Sequence, residues 1–159
     1  MLTVPLVRDE IERAGGAYGY ALIERRETAA DAALAVRFET APGAPLLFVR
    51  CLHLSDGAPH QLETRWIALD AAPAAAREPF ERVSPNEWLL TETPYDRIEH
   101  ILTAAAPDAD ERARLALGPG EPVFVIERRT WRAGAVVTAA RLSHPASRFR
   151  LISRTDWAA

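Results

Sequence analysis

The sequence has a single cysteine, no lysine and no long run of apolar residues. One cysteine, Cys51, cannot form an intrachain disulfide or a multi-cysteine metal site, and this scarcity is typical of a reducing compartment. No stretch approaches the roughly 20 apolar residues that cross a bilayer. The first residues also carry acids where a signal peptide has a basic region. We therefore expect a cytoplasmic protein that does not contact a membrane.

The charge is nearly balanced, with 19 basic and 22 acidic residues and a formal net charge of −3. Such a chain has no basic field with which to hold phosphates, so we do not expect it to bind nucleic acid by itself. No glycine cluster precedes a lysine, which excludes a phosphate-binding loop. A Gly-x-Ser-x-Gly nucleophile motif is also absent. We therefore expect no catalytic residues and no enzymatic activity.

Histidine is present at four positions, none of them at the i, i+4 spacing of a helical zinc motif: His53, His60, His100 and His144. A zinc site would have to assemble from separate strands. The sequence therefore predicts neither a metal nor another cofactor.

The chain contains an internal repeat. Pro42-Gly43-Ala44-Pro45 recurs as Pro119-Gly120-Glu121-Pro122, an offset of 77 residues (119 − 42), and the same offset relates Gly57 to Gly134. Ala30-Asp31, before the first motif, recurs as Ala109-Asp110 before the second. The pattern indicates a duplicated unit of helix, turn, strand and hairpin. It predicts one domain with a pseudo-symmetric sheet and a place between the copies where a small molecule binds.

Periodicity, caps and turn signals predict the remaining elements. We predict helices at 7–13, 28–35, 85–90 and 110–117. We predict strands at 18–25, 46–54, 60–68, 95–105, 123–131 and 136–144, with a last edge strand at 148–154. The alanine- and proline-rich segment 69–82 is predicted to wrap the surface. Hairpins outnumber strand–helix–strand crossovers, so the fold class is α+β with a mainly antiparallel sheet flanked by helices.

One predicted strand has a polar face. Alternation places Gln61, Glu63 and Arg65 on one side, and His53 on the partner strand has the parity to join Glu63. The alternative is a solvated face on which Glu63 and Arg65 are ordinary surface charges.

The second hairpin offers a similar choice. Arg128 and Thr130 share one side, while Arg129 and Trp131 share the other. The alternative is that these charges form a solvated edge, and that His144 only caps the end of its strand.

Several motifs, in order, resemble the UTRA effector domains of the GntR superfamily, HutC subfamily. The resemblance covers about residues 6–154. It rests on Glu63-Thr64-Arg65-Trp66-Ile67, the segment 80–90, Glu99-His100, Arg128-Arg129-Thr130-Trp131, Arg141-Leu142-Ser143-His144-Pro145 and Ser147-Arg148-Phe149.

The resemblance implies a chorismate-lyase-like α+β fold with an effector pocket beside the sheet. It also implies a homodimer formed through edge strands, and an N-terminal winged helix-turn-helix domain that releases DNA when effector binds. That domain is absent from this chain. We therefore expect residues 1–159 to form a single effector-binding domain, either truncated or a stand-alone sensor, that meets DNA only through the missing part.

Two positions bear on the effector. Phosphosugar-binding members that resemble this chain carry arginines where Cys51 and His53 stand, and the exchange removes the charged donors that a phosphate dianion needs. For the histidine-utilisation branch the resemblance implies urocanate, or formiminoglutamate in its place. Two alternatives stay open: a sensor of another metabolite, such as a phosphosugar or an amino-acid derivative, and a chorismate-lyase-type enzyme that uses Glu63.

Urocanate has a carboxylate, an imidazole and a flat link between them. Arg65 or Arg141 is our candidate for the carboxylate, and Glu63 with His53 or Ser84 for the imidazole. Trp88 or Trp131 is the candidate for flat cover. The predicted ligand-binding set is His53, Glu63, Arg65, Ser84, Glu87, Trp88, Thr138, Arg141 and His144. We expect effector to order the 84–90 helix and to act on the segment 2–13.

Overall fold

A computed structural model describes residues 6–157 of the chain. Six antiparallel strands form one sheet in the order β1-β2-β3-β6-β5-β4. The strands are β1 (Tyr18–Ala29), β2 (Pro45–Ser55), β3 (Ala58–Ala68), β4 (Arg97–Ala105), β5 (Val123–Arg132) and β6 (Ala135–Pro145). The α-helices are α1 (Val7–Arg13), α2 (Ala32–Arg37), α3 (Pro85–Glu92) and α4 (Ala109–Arg114), with 3-10 turns at Pro73–Arg77 and Ala146–Arg148. Among the described helices, none has the length and apolar character of a membrane span.

The internal duplication is visible in the fold. α2 and α4 begin 77 residues apart (109 − 32), as do β3 and β6 (135 − 58). Each copy contributes three neighbouring strands, and β3 pairs with β6 at the centre of the sheet. In both tight turns the two central residues have positive φ, Asp56-Gly57 in one copy and Ala133-Gly134 in the other. This is the backbone of the two-residue turns that match strand twist.

The sequence analysis matched Asp31 with Asp110, but the helix caps show a different counterpart. Asp31 accepts a hydrogen bond from the Leu34 amide at 2.8 Å, and Asp108 accepts one from the Glu111 amide at 2.7 Å. The two caps are 77 residues apart (108 − 31), so Asp108 is the counterpart of Asp31. Asp110 lies inside α4, where its carboxylate contacts Arg50 and Arg114.

Three segments differ from the sequence prediction. Thr28 and Ala29 extend β1, because they pair with Leu46 and Pro45, and the helix starts only after the Asp31 cap. The segment 69–82 runs along the surface only in part, since its own Ala72, Ala75 and Phe80 are buried in the core. The predicted edge strand at 148–154 is wrong, because residues 149–157 form no regular element.

The helices cover both faces of the sheet. We call the face that carries Glu63 the front face and the face that carries Leu62 the back face. α3 packs on the front face, where Leu89 joins Val49, Ile67 and Phe80 in the core. On the back face α2 packs beside Leu46 and Trp131, and Leu115 after α4 packs on Leu62. Of the segment 2–13, residues 2–5 lie outside the described part.

Candidate functional site

A buried group of polar side chains lies on the front face at the centre of the sheet. We define the polar cluster as Tyr18, His53, Glu63, Arg65 and Thr138, which stand on β1, β2, β3 and β6. The strand register sets Cys51 opposite Glu63, and alternation keeps His53 on the same face. His53 and Glu63 are completely buried and Arg65 is 2% exposed. The solvated-face alternative for Glu63 and Arg65 is therefore wrong.

Hydrogen bonds connect the cluster from one strand to the next. His53 Nε2 lies 3.1 Å from Glu63 Oε1, and Arg65 Nε donates to Glu63 Oε2 at 2.8 Å. A carboxylate only accepts, so Nε2 carries the proton and Nδ1 accepts from the Tyr18 hydroxyl at 2.8 Å. Arg65 Nη1 donates to Thr138 Oγ1 at 3.0 Å. The predicted grouping of His53 with Glu63 is confirmed.

Charge inside the cluster follows from these contacts. Burial alone would raise the pKa of Glu63, but the Arg65 charge and the His53 hydrogen bond outweigh it and hold that pKa well below its usual value. Burial raises the pKa of Cys51 and of Tyr18. Near neutral pH the cluster therefore holds one carboxylate and one guanidinium beside a neutral thiol and phenol.

Helix α3 lies next to the cluster. Ser84 caps the helix by accepting from the Glu87 amide at 3.2 Å, and Glu87 accepts from Arg8 Nε at 2.5 Å. Arg8 belongs to α1, so this ion pair connects α1 to α3. Trp88 packs edge-on against Phe80, with ring centroids 5.6 Å apart. Ser84, Glu87 and Trp88 thus lie on one element over the front face.

A second buried arginine, Arg128, faces Arg65 across the sheet. Both residues pair with Ala140, one from each side, so their backbones stand two strand spacings, about 10 Å, apart. Ala140 contributes only a methyl group to the space between them. Burial lowers the pKa of Arg128 to about 10, with a further contribution from the Arg65 charge. The two guanidinium groups therefore lie close enough to repel each other.

A small cavity opens between these arginines and α3. It has a volume of about 20 Å³, and its walls include Arg65, Arg128, Thr138 and Asn86. Arg65 Nη2 and Asn86 Oδ1 are buried there, and neither has a hydrogen-bond partner within residues 6–157. Unpaired buried polar atoms are costly. The cavity therefore presents a donor and an acceptor that a ligand can satisfy.

A larger cavity, of about 1060 Å³, is also lined by Arg128. Its walls come from α1, the front face and the segment after β6, and they include Glu10, Gln61, His100, Arg128 and His144. Gln61 Nε2 is buried and finds no hydrogen-bond partner in the described part of the chain. Arg128 lines both cavities and is the residue that their walls share.

Two of the three histidines that line this cavity, His100 and His144, are neutral near pH 7. Burial lowers the pKa of His144 to about 3 and that of His100 to about 4. His144 Nδ1 lies 3.0 Å from the Phe124 carbonyl oxygen, to which it donates, and its ring stacks on Phe149 with centroids 3.8 Å apart. His144 is thus a buried wall of the cavity and more than a strand cap.

Two predicted residues lie on the opposite side of the sheet. Arg141 is on the back face, where its guanidinium contacts Glu111 Oε1 at 3.0 Å. Trp131 is also on the back face, buried with Phe38 and Ala139, and its indole N–H donates to Glu39. The structure therefore does not bring Arg141 or Trp131 to the cluster, and both leave the candidate set.

Three residues that the sequence analysis left out of the ligand set belong to the site. Arg128 is buried, so the solvated-edge alternative for it is wrong. Its shared side with Thr130 is the sequence signal that pointed inward, since Thr130 Oγ1 lies 3.0 Å from Thr138 Oγ1 in the cluster. Gln61 shares the parity of Glu63. Asn86 had no signal beyond its place in the first turn of α3.

Comparison with known proteins gives the family. The UTRA domain model matches residues 13–150. The histidine utilization repressor of Pseudomonas putida is 33% identical over 148 residues, which are 93% of this chain and 60% of the relative, and that of Pseudomonas aeruginosa is 32% identical over 148 residues, 93% of this chain and 59% of the relative. The chain thus spans about three-fifths of the length of these curated relatives.

Solved structures agree on the fold. The C-terminal domain of the histidine utilization repressor from Pseudomonas syringae pv. tomato has a TM-score of 0.82 at 31% identity, over 89% of this chain and 100% of that one. The effector domain of PhnF from Mycobacterium smegmatis has a TM-score of 0.83 at 20% identity, over 94% of this chain and 93% of that one, and supports the fold alone. The histidine utilization repressors among these relatives are named as transcriptional regulators and not as enzymes. With the family model covering most of its length, the chain belongs to the UTRA domain family.

Proposed function

We propose that this domain senses urocanate as the effector-binding part of a repressor of histidine catabolism. The observation that carries the proposal is the pair of buried arginines, Arg65 and Arg128, which face each other across Ala140 and both line the small cavity. The family membership supports a ligand-sensing regulatory domain. The names of the relatives point to the histidine pathway.

The carboxylate of urocanate binds above Ala140 in this proposal. Arg65 Nη2 lacks a partner in the described structure, and Arg128 uses its Nε to donate to His100 Nε2. A carboxylate between the two guanidinium groups accepts charge-assisted hydrogen bonds from both and relieves their repulsion. The small cavity holds about one water, so the ligand must displace the adjoining α3 slightly.

The imidazole of urocanate extends into the larger cavity. Gln61 Nε2 is a buried donor without a partner among residues 6–157, and Glu10 offers a carboxylate acceptor in the same cavity. One ring nitrogen of a neutral imidazole accepts and the other donates, so this pair matches both. Formiminoglutamate has a carboxylate and an N–C–N group and is the second candidate for the same contacts.

Glu63 and His53 act indirectly in this proposal. Both are completely buried and satisfied by each other, Tyr18 and Arg65. Glu63 fixes the Arg65 guanidinium so that Nη2 points to the cavity wall. The two residues therefore position the carboxylate-binding group.

Signal transfer uses α3 and α1. Ligand that displaces α3 acts on the Glu87–Arg8 ion pair and hence on α1, near the N-terminal end of the described chain. A ligand shifts such an equilibrium only by its differential affinity for the two states, about 2.7 kcal/mol for a hundredfold change. In the full-length protein a homodimer would then release DNA through its N-terminal domain.

Two other candidates are distinguished by ligand chemistry. A phosphosugar sensor needs donors for a dianion, and Arg65 with Arg128 leaves that candidate open despite Cys51 and His53. A chorismate-lyase-type enzyme needs a free acid, whereas Glu63 is held by two partners.

Isothermal titration of the domain tests the proposal, with urocanate, histidine, formiminoglutamate and glucosamine 6-phosphate in parallel. We expect saturable binding of urocanate and little heat from histidine, because the two arginines repel the ammonium next to its carboxylate. If only glucosamine 6-phosphate binds, the domain is a phosphosugar sensor and the assignment to histidine catabolism is wrong. Turnover of chorismate would contradict a purely regulatory role.

A further inference from the structure

A group of metal-ligating side chains lies at the buried end of the polar cluster. Cys51, His53 and Glu63 present one sulfur, one nitrogen and one oxygen, and these ligand atoms lie within 4.8 Å of one another. We propose that the three residues bind a divalent ion of the Zn²⁺ class. The proposal reverses the expectation of no metal drawn from the sequence, since the ligands come from the adjacent strands β2 and β3. It does not depend on which effector the domain senses.

Two of the three distances within the group fit tetrahedral coordination. Bond lengths of about 2.3 Å to sulfur and about 2.0–2.1 Å to nitrogen and oxygen place neighbouring ligands roughly 3.6 Å apart for S···N and 3.3 Å apart for N···O. Cys51 Sγ lies 3.7 Å from His53 Nε2, and that nitrogen lies 3.1 Å from Glu63 Oε1. Both distances are therefore close to those of a zinc site, and the third, from Cys51 Sγ to the Glu63 carboxylate, is at most 4.8 Å.

Neighbouring side chains hydrogen-bond to the proposed ligands, as outer-shell partners do in metal sites. The Tyr18 hydroxyl lies 2.8 Å from His53 Nδ1. When the ion binds, the imidazole proton stands on Nδ1 and is donated to the Tyr18 oxygen, which leaves the Nε2 lone pair for the ion. Arg65 donates to Glu63 Oε2 and leaves Oε1 for the ion. Metal-bound histidine and carboxylate ligands usually have such outer partners. All three ligands also stand on central strands, which hold them rigidly.

The donor set selects the ion. A thiolate with an imidazole suits Zn²⁺ and Co²⁺ and disfavours Mg²⁺ and Ca²⁺, which prefer oxygen ligands. On binding, the Cys51 thiol loses its proton to solvent. The ion, the thiolate and the carboxylate together are neutral, so the Arg65 charge becomes uncompensated. Three protein ligands leave the fourth tetrahedral position for water.

Cobalt titration of the whole chain, without an affinity tag, tests the proposal. A thiolate bound to Co²⁺ gives a charge-transfer band in the near ultraviolet and strong visible bands for tetrahedral geometry. Cys51 is the only cysteine, so such a band can arise only from this site. We expect the band to saturate at one Co²⁺ per chain and to be displaced by Zn²⁺. Absence of the band in the folded wild-type chain would overturn the proposal.

Three variants sharpen the result. Cys51→Ser is nearly isosteric and should lose the band completely, whereas the matched control His60→Gln, a histidine outside the group, should keep it. Tyr18→Phe removes an outer partner and should weaken Zn²⁺ binding by about 10–100-fold. Equal Zn²⁺ affinity in Cys51→Ser and the wild type would contradict the site, even if Co²⁺ bound elsewhere. Urocanate is left out of these titrations, so failure of its binding cannot be confused with failure of the metal site.

Discussion

Glu63 shows how one buried residue depends on its partners. Its carboxylate is completely buried and accepts hydrogen bonds from His53 and Arg65. Removing one member of a buried ion pair leaves the other charge uncompensated. We therefore predict that Glu63→Ala lowers the free energy of unfolding by roughly 3–5 kcal/mol, measured by urea denaturation.

The matched control is a half-buried ion pair on the back face. Arg129 and Glu99 are 2.9 Å apart, with side chains 23% and 34% exposed. Solvent screens such a pair, so Glu99→Ala should cost at most about 1 kcal/mol. Equal losses in the two variants would contradict the view that Glu63 acts through its buried pairing.

His144 makes stability depend on pH. Its pKa is about 3 in the folded chain and 6.5 as an unperturbed histidine, so the unfolded chain binds the proton more readily between these values. The stability that neutral His144 contributes is present above pH 6.5 and is lost progressively as the pH falls from 6.5 towards 3. Between pH 6.5 and pH 5 the loss should be roughly 2 kcal/mol.

The pH prediction is tested with His144→Gln, which keeps a donor for the Phe124 carbonyl and removes the titrating group. Urea denaturation at pH 6.5, 5.5 and 5.0 should give a flatter profile for the variant. Glu63 adds little in this window, because its stabilising charge is lost only below the usual carboxyl pKa. Parallel profiles in both proteins would exclude His144 as the cause.

Sequence parity predicted part of the site at the residue scale. Alternation along β2 and β3 brought His53 to Glu63, because register in a short hairpin is fixed by its turn. The predictions for Arg141 and Trp131 were wrong, because the type of a residue does not tell which face of the sheet its side chain occupies. Asn86 was missed because its burial depends on how α3 docks.

At the scale of elements, the duplication gives a matched pair of helix caps. Asp31 and Asp108 occupy equivalent positions and each accepts one amide hydrogen bond. We predict that Asp31→Ala and Asp108→Ala each cost about 1 kcal/mol of unfolding free energy and that the double variant costs about the sum. The measurement is chemical denaturation of the three variants. A much larger cost for one cap would show that the copies are not energetically equivalent.

The sheet strands were predicted well, whereas the start of α2 and the end of the chain were not. A Pro-Gly motif precedes each hairpin, Asp56-Gly57 and Gly134 mark the two hairpin turns, and all six sheet strands were predicted. The helix expected from residue 28 instead starts after Asp31, because strand pairing with Leu46 outweighs the helix preference of alanine. The strand expected at 148–154 has the composition of a strand, but β1 and β4 already form the sheet edges.

For the whole molecule, the two outer strands differ in character. β4 exposes Ile101 and Leu102, which are 49% and 37% exposed, whereas β1 carries several charges along its length. We predict that the chain forms a homodimer through β4, because an apolar edge strand favours pairing with another chain. Ile101→Lys should shift the protein to a monomer in light scattering after size exclusion. Val36→Lys, at an exposed apolar residue on α2, is the control and should leave the dimer intact.

The cavity itself belongs to the whole fold and could not be predicted from local patterns. It needs Arg65 from one copy, Arg128 from the other and the small side chain of Ala140 between them. The repeat predicts that a ligand binds between the copies, and this stays a prediction. Arg65 and Arg128 are 63 positions apart in the sequence (128 − 65). They come close only because β6 pairs with both β3 and β5.

The central claim is that the front-face arginine pair holds the effector carboxylate. Arg128 and Arg129 are adjacent on β5 but lie on opposite faces, so they form a matched pair of variants. In isothermal titration, the affinity of Arg128→Gln for urocanate should be at least about 10-fold lower than that of the wild type, as expected for a lost charged hydrogen bond. Arg129→Gln should bind within about threefold of the wild type, well under the 1.4 kcal/mol that a tenfold change represents. Equal affinities of the two variants, or a loss confined to Arg129→Gln, would contradict the account.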